Sequence, residues 1–344
     1  MTVESNTKSI EAAIIVNPKS ASGFTGKNWD SLHLMIKRLF GDNIQVAFTE
    51  KSGDGTTLTT NFIKKGYKKI VAIGGDGTIN EVANGFFEED IRIHGNENNN
   101  NGSNSFLNQA AVLKPINSEV VMAVFPCGTR NVLVKSLDLP EEFAECCQNF
   151  EACKLQKIDV ISVRARNVEN HSKAASRIFL NAAEIGIGAE IIDKAKKVRN
   201  VVNSRFISTL TGLFSTVPAY ESSLCEISID DGHEDILTKM TMGVVANGRF
   251  LGGGFKAAPE ANILDGLLDV VILKESSNLE MIENFLNIKD GDYTNEGDIF
   301  YRQAKKVSIK SKENRDIPVT IDGEPIGILP ATFEVLQNAL TIRM

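Results

Sequence analysis

Residues 68–87 read "KKIVAIGGDGTINEVANGFF", and the fold turns on this stretch. An apolar run, Ile70 to Ile73, stops at Gly74-Gly75-Asp76-Gly77. Beyond it Ile79, Val82, Ala83 and Phe86 recur at i, i+3, i+4 and i+7, one face of a helix. The stretch is therefore a strand, a glycine turn and a helix. One glycine suffices for such a turn. Three, with a carboxylate among them, imply that something comes very close to the backbone.

The same alternation extends to both sides. "EAAIIV" (11–16), "NIQVAFTE" (43–50) and "EVVMAVFPCGTRN" (119–131) have the apolar runs of strands. "WDSLHLMIKRLF" (29–40) and "GTTLTTNFIKKG" (55–66) have helical spacing, the second closed by Gly66, and a further helix is predicted near 141–149. Strands alternating with helices predict a parallel sheet covered on both faces. After about residue 157 the pattern changes to short segments rich in Val, Ile and Thr, separated by turn signals. "KIDVISVRA", "SLCEISIDDG", "KMTMGVVANGRF", "KKVSIKS" and "TFEVLQNALTIRM" are examples. The expected organisation is an α/β domain over 1–156 and an antiparallel β-sandwich domain over 157–344. A low-complexity Asn-rich insertion, "GNENNNNGSNS" (95–105), is expected to be disordered, and a helical insertion is expected near 187–217.

Composition narrows the function. The chain of 344 residues is 42% hydrophobic and carries a net charge of -7, so it has no overall basic field for nucleic acid. No run reaches about 18 apolar residues, so any membrane contact is expected to be peripheral. Five cysteines without a Cys-x-x-Cys pair fit reduced thiols in the cytoplasm. The four histidines lack zinc-ligand spacing.

Ligands of parallel sheets bind beyond the carboxyl ends of the strands, where Gly74 to Asn80 lie. Glycines let backbone N–H groups face a phosphate, and the helix N-terminus adds positive potential. The Walker pattern and Gly-x-Gly-x-x-Gly are both absent. Asp76 would repel a phosphate unless a Mg²⁺ lay between them. Thr78 and Asn80 offer a hydroxyl and an amide. The plainer reading is a turn in which Asp76 or Thr78 caps the helix.

"GGDGTINEV" resembles the nucleotide loop of the diacylglycerol kinase-like lipid kinases, which include sphingosine and ceramide kinases. The shorter "GGDGT" is shared with NAD kinases, so further segments carry the resemblance. "NPKSASG" (17–23) resembles the family's first-strand signature, and "PCGTRN" (126–131) its Pro-x-Gly-Thr-x-Asn segment. "NGRFLGGGFKAAPEANILDGLLDV" (247–270) resembles its Gly-Gly-Gly to Asp-Gly-Leu-x-Asp segment, and "IDGEP" (321–325) matches in place and order. The resemblance implies that Asn17 and Thr49 line an ATP site, that Gly74, Gly75, Asp76, Gly77, Thr78, Ile79 and Asn80 cradle its phosphates, and that Thr129 closes the pocket. It implies that Glu324 is the base for a lipid hydroxyl. It also implies a structural Mg²⁺ held by the Asp265 carboxylate and the carbonyls of Asn262 and Leu267.

Some segments have two readings. "VTIDGEPIGI" is also a hairpin with an Asp-Gly turn, and a hairpin tip can present Glu324. "LGGGF" (251–255) is either a flexible loop or a close-approach site, and "DGLLDV" either a turn into a strand or a metal loop. "DKAKKVRNVVNSRFISTLTGLFSTV" (193–217) is either a solvated helix running into a core helix or a membrane-facing element. Where many family members have Asp-Phe-Ala after the segment's Asn, this chain has Val132-Leu133-Val134 and lacks the carboxylate.

The expected function is ATP- and Mg²⁺-dependent phosphorylation of a membrane lipid, diacylglycerol-like, in phospholipid biosynthesis. The expected setting is a cytoplasmic protein at the membrane periphery, and a homodimer is compatible with it. An NAD kinase-like enzyme and a nucleotide-binding module without turnover are the rival expectations.

Overall fold

The computed structural model describes residues 12–91, 111–188, 220–251, 255–293 and 297–344. Its first half runs β1 (Ala12–Val16), α1 (Ser20–Lys27), α2 (Trp29–Phe40), β2 (Ile44–Phe48), α3 (Asp54–Lys64), β3 (Lys69–Gly74) and α4 (Asp76–Asn84). A hairpin of β4 (Phe87–Ile91) and β5 (Ala111–Pro115) follows, then β6 (Val121–Pro126), α5 (Val132–Ser136) and α6 (Phe143–Asn149). Strands β2-β1-β3-β6 pair in parallel in that order. The side-chain period of two explains their unbroken apolar runs. Ile14, Val16, Val71, Ile73 and Phe125 pack with Leu32, Ile36 and Phe40 of α2 on one face. Ala13, Ile15, Ile70, Ala72 and Met122 pack with Phe62 and Ile63 of α3 and Ile79, Val82 and Ala83 of α4 on the other.

The second half is mostly antiparallel. It contains β7 (Leu155–Arg166), β8 (Ala174–Phe179), β9 (Ala182–Gly186), β10 (Ser223–Ile229), β11 (Glu234–Ala246), β12 (Leu268–Lys274), α7 (Asn278–Asp290), β13 (Ile299–Ala304), β14 (Lys306–Ser311), β15 (Pro318–Ile321) and β16 (Glu324–Arg343). Strands β16, β14, β10, β11, β9 and β15 pair in a closed circuit, with β15 returning to β16. Their inward residues, with those of β7, β8 and β12, fill a sandwich-like core that includes Ile185, Ile227, Val245, Ile309, Val319 and Phe333. Phe179 and Phe333 meet edge to face at 6.3 Å. Strand β12 is buried on both faces, because Met281, Phe285 and Ile288 of α7 cover its outer one.

The two halves share a strand. β16 is 20 residues long and pairs with β7 over most of its length, shifting register between Ile328 and Ala331 and between Leu336 and Leu340. Its last residues, Thr341 to Arg343, add in parallel to β6 opposite Val121 to Ala123. Leu340 and Ile342 are buried in the same cluster as Ile70, Met122 and Ile79. The chain's C-terminal strand thus completes the core of its N-terminal sheet.

Helix α7 and the β4–β5 hairpin are among the elements that sequence patterning missed. Helix α7 opens with a capping box in which Ser277 and Glu280 bond reciprocally, a Ser-x-x-Glu signal present at 277–280. The β4–β5 hairpin was missed because its strands are separated by the Asn-rich stretch. That stretch, the 193–217 segment and Gly252–Gly254 of "LGGGF" lie outside the described residues, as does all of the expected 187–217 helix beyond Gly188.

The shared strand yields a stability prediction. Ile342→Ala should destabilise the protein by about 2–5 kcal/mol, the usual range for emptying a buried aliphatic site. The loss should register in the N-terminal α/β half as well, where Trp29 reports. Urea unfolding followed by tryptophan fluorescence checks both points.

Candidate active site

The carboxyl ends of the parallel strands converge on one edge of the sheet. Asn17 follows β1, Thr49 follows β2, Gly75 follows β3, and Gly128 and Thr129 follow β6. Backbone bonds continue the ladder past the strands: Asn17 N–H donates to the Ile73 carbonyl (3.0 Å), Thr49 N–H to Val16 (2.9 Å) and Cys127 N–H to Gly74 (2.8 Å). Asn17 Nδ2 donates to Thr78 Oγ1 at 3.0 Å, tying the first-strand loop to the glycine loop. In that first loop Ala21, Ser22 and Gly23 take left-handed φ values of 49, 58 and 84°. Strain of this kind at non-glycine residues gathers at ligand clamps. Nearby, Lys19 Nζ donates to the Glu50 carbonyl at 2.7 Å.

The glycines answer to specific neighbours. A Cβ on Gly74 would stand 2.6 Å from Thr78, and one on Gly128 would stand 2.6 Å from the Gly75 Cα. The strand-end turns after β3 and β6 therefore touch backbone to backbone. A Cβ on Gly77 would stand 3.1 Å from Glu324 Oε1. The first bond onto the N-terminal end of α4 runs from Ile79 N–H to the Gly75 carbonyl (3.0 Å). The N–H groups of residues 76 to 78 precede it, at positions where a helix offers its donors no intrahelical partner, and that of Asp76 faces its own carboxylate. Ile79 is buried in the core, and Asn80 turns away to the second half of the chain. The part of the loop open to an anion is thus narrower than Gly74 to Asn80.

Asp76 caps a helix, but not its own. Its Oδ1 accepts from the N–H groups of Val132 (2.6 Å) and Leu133 (3.4 Å), at the start of α5. Gly75, the residue before α4, makes no side-chain cap, and neither Asp76 nor Thr78 caps that helix. Burial pushes the Asp76 carboxyl above its usual range, against the pull of those two N–H groups and of Arg130. Val132, Leu133 and Val134 are all buried, so the positions lacking the expected carboxylate belong to the core.

The hairpin reading of "VTIDGEPIGI" and the site reading both hold geometrically. β15 and β16 pair around Asp322-Gly323, both with positive φ (47 and 81°), a turn of the kind Asp-Gly favours. Asp322 Oδ1 accepts from the N–H groups of Asn181 and Ala182, and Oδ2 from Leu180 N–H (3.0 Å) and Asn80 Nδ2 (2.7 Å). Burial pushes this carboxyl upward while its four donors pull the other way. Two residues on, Glu324 reaches back to Gly77 with Oε1 and to Arg177 with Oε2 (3.2 Å). Arg177 Nη2 also donates to Asn80 Oδ1 at 2.7 Å.

Arg177, Asn84 and Glu81 were not singled out by sequence. Asn84 clasps residue 178, accepting from its N–H (2.9 Å) and donating to its carbonyl (3.0 Å). Glu81 accepts from Gly53 and Gly55 N–H groups (2.8 and 2.9 Å), so its charge lies at the N-terminus of α3. The signal was short polar residues, 80, 81 and 84, on the face of α4 opposite the apolar one. That helix is buried from Thr78 to Asn84. Burial pushes the thiol of Cys127, beside the glycine loop, up to about 11, which disfavours the thiolate.

The Asn262–Leu267 turn lies apart from the strand ends. Asn262 O accepts from Asp265 N–H (3.3 Å), and Asp265 Oδ1 accepts from Leu267 N–H (2.9 Å). Burial and the nearby Asp159 charge push the Asp265 carboxyl up. One carboxylate and two carbonyls in one turn fit a hard cation by donor type, and a cation would relieve the repulsion between Asp159 and Asp265. Among the described residues no group of three or more His, Cys, Asp or Glu is placed to hold a metal. None of the described helices is long and apolar enough to cross a membrane.

Two family models between them match most of the chain. The diacylglycerol kinase catalytic domain matches residues 11–163, and the YegS C-terminal NAD kinase beta sandwich-like domain matches residues 181–344. A diacylglycerol kinase of Staphylococcus saprophyticus is 25% identical over 96% of this chain and 94% of its own length. One of Bacillus subtilis is 25% identical over 97% and 96%. A crystal structure of a diacylglycerol kinase from Bacillus anthracis has the same fold, with a TM-score of 0.65 and 22% identity over 98% of this chain and 97% of that one. Fold and loop together define a two-domain kinase with an α/β catalytic half and a β-sandwich-like half. The chain belongs to the diacylglycerol kinase-like lipid kinase family.

Two substitutions separate the structural and chemical roles of Asp76. Asp76→Ala strands the Val132 and Leu133 N–H groups and should cost about 1–3 kcal/mol, the range for a buried donor left unsatisfied. Asp76→Asn keeps an acceptor oxygen and should cost much less. Turnover of ATP should be lost in both. Urea unfolding beside a kinase assay reads the two effects, and a turning-over Asn variant would confine Asp76 to capping α5.

Proposed function

We propose that the protein transfers the γ-phosphate of ATP to a hydroxyl of a membrane lipid, diacylglycerol-like in class. Residues 1–156 would hold the nucleotide and residues 157–344 the acceptor side of the cleft. The observation that carries this reading is Glu324 Oε1 standing over Gly77, so that a carboxylate from the β half meets the glycine loop of the α/β half. Relatives that align over nearly their whole length are named diacylglycerol kinases, which supports the acceptor class.

The roles follow from the chemistry. Phosphoryl transfer needs an aligned acceptor, neutralised phosphate charge and little else from the protein. Backbone N–H groups at 76–78 would bind the phosphates, with Thr78 held in place by Asn17. Thr49 and Thr129 flank the same strand-end edge. Glu324 would take the proton of the acceptor hydroxyl as its oxygen bonds to the γ-phosphorus and the bond to the ADP oxygen breaks. An alcohol is a poor nucleophile at neutral pH, so a positioned base matters. Mg²⁺, when bound, would neutralise phosphate charge, with Asp76 Oδ2 the carboxylate oxygen nearest in sequence to that task. Asn262, Asp265 and Leu267 would hold a second, structural ion.

Glu324→Gln is the decisive test. The amide keeps size and shape but cannot take the proton. Turnover should fall on the order of 10²–10⁴-fold, the usual share of a general base. ATP affinity should persist, so the loss should appear in kcat more than in KM for ATP. Calorimetric ATP binding beside turnover on diacylglycerol-containing vesicles measures both. Full turnover in the variant would remove the base assignment.

A further inference from the structure

We propose that Arg177 is the positioning residue for Glu324, fixing one carboxylate oxygen so that the other faces the glycine loop. The inference rests on the reading of Glu324 as the base. The two oxygens of Glu324 have different surroundings: Oε2 is 3.2 Å from Arg177 Nη1, while Oε1 lies over Gly77. The torsion that carries a glutamate carboxylate is broad and nearly two-fold, so an unheld carboxylate samples many orientations. A hold on Oε2 removes that freedom.

Arg177 is itself held from both sides. Its Nη2 donates to Asn80 Oδ1 at 2.7 Å, and that oxygen also accepts from Asn84 Nδ2 at 3.0 Å. The next residue, Ile178, has its N–H and carbonyl clasped by Asn84. The guanidinium therefore spans from α4 of the nucleotide half to the hairpin tip of the β half. A planar fork can meet two acceptors at once, whereas a lysine ammonium at the end of a flexible stem would reach only one of them well. The Arg177 and Glu324 side chains are 28% and 34% exposed, and ion pairs so open to water contribute little to stability. Orientation, rather than fold stability, is what this pair supplies.

Arg177 is also reachable. A cleft of about 440 Å³ opens beside it, lined among others by Thr56, Glu81, Asn84, Leu113 and Ser176. A small cation can enter there if the side chain is cut back.

The experiment compares Arg177→Ala, Arg177→Lys, Glu324→Gln and the Ala/Gln double variant on diacylglycerol vesicles. Arg177→Ala should lose about 10–100-fold in kcat, the scale of a base misplaced by an ångström or so. KM for ATP and the urea midpoint should stay near wild type. Added guanidinium at millimolar concentration should restore part of the rate, and Arg177→Lys should fall between Ala and wild type. The double variant should be no slower than Glu324→Gln alone. An Arg177→Ala enzyme with wild-type kcat, or a double variant slower than Glu324→Gln by the full Arg177→Ala factor, would overturn the proposal while leaving the base in place. Full turnover in Glu324→Gln would instead remove the base reading itself.

Discussion

The Asp322 carboxylate is the contact on which the site depends. It gathers three consecutive backbone N–H groups, from Leu180 to Ala182, and the side-chain amide of Asn80. Those donors come from two places, the turn between β8 and β9 and α4 behind the glycine loop, and the hairpin tip that carries Asp322 meets both. A carboxylate with its oxygens so engaged has a single favourable orientation, and removing it would strand several donors at once. The Glu324 side chain starts two residues further on, so its reach toward Gly77 is set by that anchor rather than by a flexible loop.

Close approach is the second constraint, and it explains residue type where charge does not. The turns after β3 and β6 meet at Gly75 and Gly128 with no room for a side chain at Gly128. Gly77 leaves the space that Glu324 Oε1 looks into. Glycine in a phosphate loop is usually explained by access for the phosphate. Here two of the loop's glycines also admit protein atoms, one from a neighbouring strand end and one from the other half of the chain. Gly55 follows the same logic, since a Cβ there would run into Glu81, whose charge sits on the adjoining helix terminus.

Much of this could be read from the sequence, for identifiable reasons. Buried parallel strands leave unbroken apolar runs, so β1, β3 and β6 stood out, and the apolar face of α4 did too. Asp322-Gly323 announced a hairpin by local turn chemistry. Arg177 gave no such sign, because its meaning lies in partners 97 and 147 positions away in the chain. Asn80 was read as an amide partner for a phosphate, and Glu81 and Asn84 were not singled out. Periodicity shows which face is apolar, but not that the polar face is also covered. Asp76 was expected to face a phosphate through Mg²⁺, or in the plainer reading to cap α4, the nearest helix in sequence. It caps α5 because β3 and β6 are neighbours in the sheet, a fact of topology that a local reading does not contain.

One strand joins these constraints. β16 begins at Glu324, over the glycine loop, and ends at Arg343, paired to β6 inside the α/β half. Between those ends it borders β15, β14 and β7. A hinge between the halves would let Glu324 swing toward or away from the glycine loop. Here such a swing would have to break the parallel pairing of residues 341–343 with 121–123 or the bonds of Asp322 and Arg177 to Asn80. Both ends of the strand are tied to the α/β half, one through sheet bonds and the other through side chains. The distance from Glu324 to the glycine loop is therefore built into the folded chain, and the one freedom the strand leaves, the turning of the carboxylate, is what the contact of Oε2 with Arg177 restrains.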